Sequence, residues 1–148
     1  MPSTFLSLHY HLVFSTKARM PLIAFEWRNR FHDYLGGIVR GLNGIPEAIG
    51  GVADHVHLMV GLKATHCLAD VMQELKKASS IWVHEQIGLR AFAWQEGYAA
   101  FTLSATARNA VRKYIVNQAE HHRTKSFREE LVEMLEKAGI PYDPKYLD

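Results

Sequence analysis

Apolar and polar positions along the chain follow two different periods, and the period of each segment predicts its secondary structure. Residues 7–16, with the sequence SLHYHLVFST, alternate with the two-residue period of a β-strand. Residues 25–42 instead place their large apolar side chains at helical spacing, and residues 68–87 do the same. Two strand-like segments, 46–53 and 54–62, lie between these helices and are joined by little more than a glycine turn. The first 87 residues therefore predict strand, helix, strand, strand and helix in that order.

The rest of the chain predicts one more strand region and two more helices. Residues 92–104, with the sequence FAWQEGYAAFTLS, fit a hairpin or a bulged strand. Helical spacing then runs from 105 to 122 and again from 127 to 138. Ser126 and Glu129 stand at the two positions of a capping box, which marks the start of the last helix.

The order of these elements predicts a fold class. A β-α-β-β-α-β order is typical of a ferredoxin-like or RRM-like sandwich, an α+β fold with one antiparallel sheet and helices on one face. The C-terminal helices are additions to that pattern. Because successive side chains of a strand point to opposite faces, we expect Val56 and Leu58 to face the helices and His55 and His57 to face the open side. We find no repeat or dividing linker, so residues 1–148 are expected to form a single domain.

The composition is that of a soluble globular protein and leaves the ligands open. Of 148 residues, 48% are apolar and 22% are charged, a balance that excludes disordered and collagen-like chains. Seventeen Lys and Arg against fifteen Asp and Glu give a formal charge of +2, which alone does not predict nucleic-acid binding. The sequence has neither an apolar run of membrane-spanning length nor a secretion signal, so we expect a cytoplasmic protein without a membrane partner.

Three small residues, one cysteine and two glycines, allow predictions about their immediate surroundings. Cys67 is the only cysteine, which excludes a disulfide within the chain and a cysteine-based zinc cluster, and we expect its side chain to be buried. Gly36 and Gly37 lie inside the first predicted helix, where each glycine costs about 1 kcal/mol relative to alanine. We therefore expect a close backbone approach at these two glycines, with a tolerated defect of the helix as the alternative.

Two histidines stand one residue apart in the segment GGVADHVHLMVGL. His55 and His57 share one face of the predicted strand, so their ring nitrogens can converge on one metal ion. They could equally be buried structural histidines. The same spacing recurs at His9 and His11, which we interpret as partly buried residues near the sheet. Asp54 is interpreted as a turn residue that could support the pair.

A tyrosine and a glutamine form a second pair in the segment RKYIVNQAEHHR. Tyr114 and Gln118 are four residues apart, and they therefore share one face of a helix and can act on one ion or one phosphate. Alternatively, Tyr114 packs in the core and Gln118 is solvated. A His-x-His strand followed by a Tyr-x-x-x-Gln helix is a much narrower pattern than either pair alone.

With these motifs the sequence resembles the single-tyrosine HUH transposases of the IS200/IS605 group, usually called TnpA. The resemblance runs from HYHLVFSTKAR through GGVADHVHLMV and EGYAAFTLS to VRKYIVNQAEHHR. The HUH signature, two histidines around a bulky apolar residue, is HVH here, and the nucleophile motif is YIVNQ. The resemblance implies that His55, His57 and Gln118 are metal ligands. It also implies that Tyr114, carried by a C-terminal helix, is the nucleophile.

The resemblance implies an activity and its partners as well. The enzyme would cleave and rejoin hairpin-bearing single-stranded DNA at insertion-sequence ends through a 5′-phosphotyrosine intermediate. That intermediate keeps the phosphoester energy, so no nucleotide cofactor is needed. A divalent cation, Mg²⁺ or Mn²⁺, would neutralise the scissile phosphate. The working unit would be a homodimer in which Tyr114 acts in trans to His55 and His57.

Basic side chains near these motifs are candidates for contacts to DNA phosphates, although scattered charges often form only a solvated face. They are Lys17, Arg19, Lys76, Lys77, Arg108, Arg112, Lys113 and Arg123. Three other interpretations stay open: a domesticated relative that acts on repeated palindromes of its host, a non-catalytic RRM-like nucleic-acid-binding module, and a metallohydrolase with His121 or His122 as a further ligand. A covalent protein–DNA adduct distinguishes a transposase from the last two.

Overall fold

The computed structural model describes residues 3–122 and 124–147, which form a four-stranded antiparallel sheet with helices packed on it. The strands are β1 (His9–Ser15), β2 (Ile45–Gly51), β3 (His55–Gly61) and β4 (Ala99–Leu103). The helices are α1 (Phe25–Gly41), α2 (Leu68–Trp82), α3 (Arg108–Val116), α4 (Gln118–His121) and α5 (Phe127–Lys137). The strand order across the sheet is β2-β3-β1-β4, with every neighbouring pair antiparallel. The predicted ferredoxin-like α+β fold is thus confirmed.

The main core lies between the sheet and helices α1 and α2. Leu12 and Phe14 of β1 and Val56 and Leu58 of β3 belong to this core and are buried. The two helices contribute Trp27, Phe31, Leu35, Val39, Val71, Met72 and Leu75. Burying one large apolar side chain contributes about 1.5–3 kcal/mol of transfer free energy, so the packing of these residues stabilises the contact between the sheet and the two helices. The alternation of β3 directs its valine and leucine side chains to this core, as predicted.

The opposite face of the sheet, which we expected to be open, is covered by the C-terminal helices. His55 and His57 are both fully buried on that side. Ile115 of α3 and Phe127 of α5 are buried as well, and the ring of Phe127 stacks on the ring of His55 with centroids 4.3 Å apart. The expectation was wrong because the additional helices bury their own apolar side chains against this face.

One strand glycine allows α3 to dock on β2. A β-carbon on Gly50 would collide with the backbone carbonyl of Ile115. The close approach that we expected at Gly36 and Gly37 is not found there. A β-carbon on Gly36 would come no closer than 3.4 Å to another atom, and one on Gly37 would meet open space. The close contact therefore depends on a glycine in the sheet and not on one in the helix.

Residues 92–104 are less regular than the predicted hairpin. Only β4 is a strand in this segment, and Trp94 forms an isolated bridge beside the end of β1. The ammonium group of Lys76 on α2 donates hydrogen bonds to the carbonyls of Gln95 and Gly97. The segment before β4 is thus a loop that is fastened to α2 by a side chain, which strand periodicity does not reveal.

The long helix predicted after β4 is divided into parts. A 3₁₀ turn, Ala105–Ala107, leads into α3, and Asn117, with φ −98° and ψ 22°, separates α3 from α4. The capping box of α5 is confirmed, because the backbone N–H of Glu129 donates to Oγ of Ser126 at 3.2 Å. The two breaks turn one predicted helix into three short segments that follow the curved surface of the sheet.

The position of Cys67 and the character of the helices bear on two expectations drawn from the composition. Cys67, expected to be buried, is exposed at the residue that precedes α2. That expectation was wrong because the residue lies in the connection to the helix and not on its buried face. In the described ranges, no helix has both the length and the apolar character needed to cross a membrane.

Candidate metal and nucleophile site

His55 is fixed at the start of β3 by the residue before it. Its Nδ1 lies 2.7 Å from Oδ1 of Asp54, and an N–H at this position donates to the carboxylate. Partial burial acts to raise the pKa of Asp54, but the hydrogen bond and charge of His55 outweigh it and hold that pKa below its ordinary value. With Nδ1 engaged by Asp54, Nε2 is the ring nitrogen that faces the space under the C-terminal helices. Asp54 therefore supports the pair, as interpreted from the sequence.

His57 is held by a third histidine. Its Nδ1 lies 2.7 Å from Nε2 of His11 on the neighbouring strand β1, and the two rings stack with centroids 4.9 Å apart. Burial lowers the pKa of His57 to about 4 and that of His11 to about 3, so both rings are neutral at pH 7. His11 was interpreted as an ordinary residue near the sheet. The repeated His-x-His spacing on an adjacent strand was the signal that could have identified it.

Tyr114 of α3 points into the same space. Its ring is 5.7 Å from that of His57, measured between centroids, and its hydroxyl donates a hydrogen bond to Oε2 of Glu130 on α5. Burial and the adjacent Glu130 carboxylate raise the pKa of Tyr114 above its ordinary value. The candidate nucleophile is thus protonated at neutral pH, and its hydroxyl is oriented by the hydrogen bond to this carboxylate.

Gln118 joins the tyrosine helix to the histidines. It is only 1% exposed, so the alternative of a solvated side chain is wrong. Its Oε1 lies 3.1 Å from Nε2 of His55 and 2.9 Å from Nε2 of His122. Its amide nitrogen donates to the backbone carbonyl of Tyr114 at 3.3 Å. The structure therefore brings together the four residues that the two sequence motifs single out.

Glu130 is the central residue that the sequence motifs did not reveal. It is 1% exposed, and its Oε1 lies 2.9 Å from Nε2 of His57, 3.3 Å from Nε2 of His122 and 3.5 Å from Nε2 of His55. Burial acts to raise the pKa of Glu130, but the hydrogen bonds from His122 and His57 outweigh it and hold that pKa well below its ordinary range. A signal was available: Glu130 lies in the buried stripe of α5 that includes Phe127.

The donor atoms of this cluster are suited to a divalent cation. Single ligand atoms of His55, His57, His122 and Glu130 all lie within 4.8 Å of one another. Nδ1 of His122 lies 2.7 Å from the carbonyl of Lys125, so an N–H there donates to it, and Nε2 is the ring nitrogen that faces the cluster. Lone pairs of imidazole nitrogens and carboxylate oxygens that converge in a buried space are satisfied by a metal ion. The His/Glu cluster could therefore hold one.

The candidate DNA-contact residues differ in their availability. Lys76 is engaged by the loop before β4, and the guanidinium of Arg108 pairs with Glu47, which also accepts from Nδ1 of His9 at 2.8 Å. These two side chains have structural partners inside the chain. Partners within the chain do not exclude exposure: Arg112 donates to Oδ1 of Asn109 at 3.4 Å, and the candidates Lys17, Arg19, Lys77, Arg112 and Lys113 are all at least partly exposed. Arg123 lies outside the described residues.

Comparison with known proteins gives concordant matches. The family model for IS200-like transposases matches residues 4–118. The ISDra2 transposase TnpA of Deinococcus radiodurans is 28% identical over 119 residues, which span 75% of this chain and 84% of that protein. The family match ends at Gln118, so α5 and Glu130 lie beyond it.

Two solved structures resemble the fold. A protein of Deinococcus radiodurans R1, described as a candidate transposase, superposes with a TM-score of 0.62 and 26% identity over 80% of this chain and 96% of that chain. The REP-associated tyrosine transposase bound to a REP hairpin has a TM-score of 0.56 and 13% identity over 78% of this chain and 70% of that chain. The second likeness concerns the fold alone.

Proposed function

Because this chain belongs to the IS200-like transposase family, we propose that it cleaves and rejoins hairpin-bearing single-stranded DNA at insertion-sequence ends. One observation carries this proposal: the hydroxyl of Tyr114 and the nitrogens of His55 and His57 meet around one buried carboxylate, that of Glu130. A nucleophile beside a cluster of metal-ligand atoms is the arrangement that transfer of a phosphodiester requires.

The proposed reaction is a direct displacement at phosphorus. The phenol oxygen of Tyr114 forms a bond to the phosphorus, and the bond from phosphorus to the 3′ oxygen of the preceding nucleotide breaks. The Tyr114 hydroxyl, oriented by its hydrogen bond to Glu130, gives up its proton to water as the bond to phosphorus forms, and the departing 3′ oxygen takes up a proton from water. The products are a 5′-phosphotyrosine and a free 3′-OH, and attack by another 3′-OH reverses the step and rejoins the strand.

His55, His57 and Gln118 would hold the divalent metal, for which Mg²⁺ and Mn²⁺ are the proposed ions. When bound, the metal supplies positive charge to the non-bridging oxygens of the scissile phosphate. The chain's own contribution is orientation: Asp54 fixes the ring of His55, and His11 fixes the ring of His57. The role of each ligand follows from the donor chemistry and from the matching family motifs.

DNA would reach this site from the side of Asp54 and His122. A surface cavity of about 390 Å³ opens there, and its lining also includes Arg19 and Lys125. Both residues are basic and suit a phosphate backbone, and Lys125, whose ammonium group pairs with Glu133, would exchange this partner for a phosphate. Because His55 and His57 are fully buried, the segment that follows α3 has to move outward before a phosphate can meet Tyr114.

A homodimer with Tyr114 acting in trans is the assembly that the family resemblance implies, and it stays a prediction. Within one chain, Tyr114 already lies beside His57 of the same chain. A trans site would use the same contacts, with α3 docked on the sheet of the other copy. A cis site and a trans site would differ only in whether the sheet and α3 belong to the same chain. Mixing inactive chains therefore distinguishes them, whereas the local geometry does not.

A covalent adduct tests the proposed function. The substrate is a 3′-end-labelled single strand that contains a hairpin flanking the gene, incubated with Mg²⁺ or Mn²⁺. Wild type should give a labelled protein band that survives denaturation, and Tyr114→Phe should give none. Tyr98→Phe, at a tyrosine that is 43% exposed and outside the cluster, is the matched control and should behave like wild type. A band of equal intensity with Tyr114→Phe would refute the role of this tyrosine.

A metal-dependent hydrolase is the second candidate function. It is favoured by His122 and Glu130, which complete a set of three imidazoles and one carboxylate around the same space. Such a set can activate water in place of a tyrosine. Cleavage without any protein-linked DNA, and undiminished in Tyr114→Phe, would support the hydrolase and exclude the transposase mechanism.

A further inference from the structure

We infer that Glu130 is a further ligand of the divalent cation, supplied by α5, and that its second oxygen links the metal to the hydroxyl of Tyr114. The inference rests on the proposed function, because it takes His55, His57 and Gln118 as the other ligands. It adds a carboxylate to a site that would otherwise consist only of neutral donors. The added residue lies beyond residues 4–118, the part of the chain that the family model matches.

The distances around Oε1 of Glu130 place this atom at a ligand position. Donor atoms that lie about 2.1 Å from one ion are separated from their neighbours by about 3.0 Å in octahedral and about 3.4 Å in tetrahedral coordination. Oε1 lies 2.9 Å from Nε2 of His57, 3.3 Å from Nε2 of His122 and 3.5 Å from Nε2 of His55. These separations match the edges of a coordination polyhedron, so an ion can enter between these atoms with little movement of the side chains.

The other carboxylate oxygen faces the proposed nucleophile. Oε2 of Glu130 accepts the hydrogen bond of the Tyr114 hydroxyl and lies 3.3 Å from Nε2 of His121. One oxygen is therefore directed to the histidines and the other to the phenol. A carboxylate that contacts both a metal ion and a hydroxyl would hold the attacking oxygen at a fixed distance from the ion. In-line displacement depends on such positioning of the attacking group.

The burial of Glu130 also favours a cationic partner. A carboxylate that is 1% exposed is expensive to keep charged unless it is paired or coordinates a metal. The contacts described for it are imidazoles and a phenol, from His55, His57, His121, His122 and Tyr114. A divalent cation bound by the same imidazoles would balance the buried negative charge of this carboxylate.

The inference is tested by calorimetric titration of Mn²⁺ into protein without DNA. Glu130→Gln keeps the size of the side chain and removes its charge, and it should lower Mn²⁺ affinity by about tenfold or more, as loss of a ligand requires. Glu133→Gln, at an exposed position of the same helix, is the matched control and should bind like wild type. His57→Ala tests the proposed site itself and should also weaken binding.

The outcomes separate the two proposals. Weak binding in His57→Ala together with wild-type affinity in Glu130→Gln would overturn the inference and leave the proposed metal site standing. Wild-type affinity in both variants would remove the metal site as a whole. Tighter binding in Glu130→Gln would show that the carboxylate competes with the ion, which also contradicts the inference.

A measurement on the wild-type protein covers the case in which a variant does not fold. If Glu130 is a ligand, Mn²⁺ ties α5 to the sheet and slows amide hydrogen exchange in Phe127–Lys137 at saturation. If Glu130 only fills the site, entry of Mn²⁺ displaces α5 and accelerates exchange in the same residues. Unchanged exchange in α5 at saturating Mn²⁺ would likewise overturn the inference.

Discussion

The backbone carbonyl of Ile115 occupies the space that a β-carbon on Gly50 would need. This contact sets the position of α3 on β2, and Tyr114 is the residue immediately before Ile115 in that helix. The absence of a side chain on one strand residue therefore determines how close the candidate nucleophile comes to His57. The contact makes the geometry of the site sensitive to a single methyl group on a residue that pairs with His57 across the sheet.

Replacing this glycine should move the nucleophile. In Gly50→Ala the new methyl group forces α3 away from the sheet, and overpacking of this kind destabilises by about 1–3 kcal/mol. Adduct formation should fall by at least tenfold, since misplacement of a reacting group by about 1 Å can cost on the order of 100-fold in rate. Urea unfolding and the adduct assay measure the two effects.

Gly37→Ala provides the matched control for that change. A β-carbon at Gly37 meets open space within α1, so alanine should stabilise the protein by about 0.5–1 kcal/mol through its helix propensity. Cleavage should be unchanged. If Gly50→Ala also forms adduct at the wild-type rate, the helix contact does not position Tyr114.

The residue that orients His55 should affect metal affinity without touching the ion. Asp54→Asn keeps the shape of the side chain and removes the carboxylate that holds Nδ1. Mn²⁺ affinity should fall by about 10–100-fold, the usual effect of losing such a partner. Asp33→Asn, at an exposed position of α1, is the control for a change of charge and should leave the affinity unchanged. Equal titration curves for the two variants would contradict the role given to Asp54.

A half-buried histidine away from the cluster, His32, should make stability depend on pH. Burial, aided by the nearby charge of Arg28, lowers the pKa of His32 to about 4. The ring takes up a proton near pH 6.5 in the unfolded chain but only near pH 4 in the folded chain. The contribution of neutral His32 to the free energy of unfolding is therefore complete above pH 6.5, and it is lost as the pH falls towards 4.

Thermal unfolding across that range tests the effect of His32. Between pH 7 and 4.5 the Tm of wild type should fall more than that of His32→Gln, which has no titrating ring at this position. Parallel curves for the two proteins would show that His32 does not titrate differently on folding. Because the comparison is a difference between two proteins, the other acidic and imidazole groups affect both curves equally.

Mixing two inactive chains tests the predicted trans arrangement. A dimer of one His57→Ala chain and one Tyr114→Phe chain has one intact site if the tyrosine acts across the dimer, and none if it acts within its own chain. Recovery should be about half of the wild-type activity per mixed dimer, because one of two equivalent sites is intact. Mixed dimers verified by mass that remain inactive would establish a site complete within one chain.

Local patterns in the sequence predict the parts of the site that depend on periodicity. His55 and His57 share a strand face because side chains alternate. Tyr114 and Gln118 are four residues apart and remain in contact, although the break at Asn117 places them in two successive helices. The element order likewise predicts the sheet and its first two helices, since hydrophobic alternation and helical spacing are properties of short segments.

The parts that were missed depend on tertiary packing. Glu130 reaches the histidines only because α5 folds back over the sheet, and in sequence it stands among acidic residues typical of a helix start. His11 meets His57 through the register of β1 and β3, which places Val13 opposite His57. Sequence spacing can mark both residues as candidates, but it does not indicate which side chains they contact. The expected open face was wrong for the same reason.

The central claim is that Tyr114 becomes covalently joined to DNA, and peptide mass spectrometry of the trapped adduct tests it most directly. After nuclease and trypsin digestion, the peptide YIVNQAEHHR, which begins at Tyr114 and contains one tyrosine, should carry a 5′-linked phosphonucleotide. His57→Ala should yield this modified peptide at a greatly reduced level, because the phosphate loses its metal ligand set. A phosphonucleotide on any other peptide, or cleaved DNA with no modified peptide, would contradict the account.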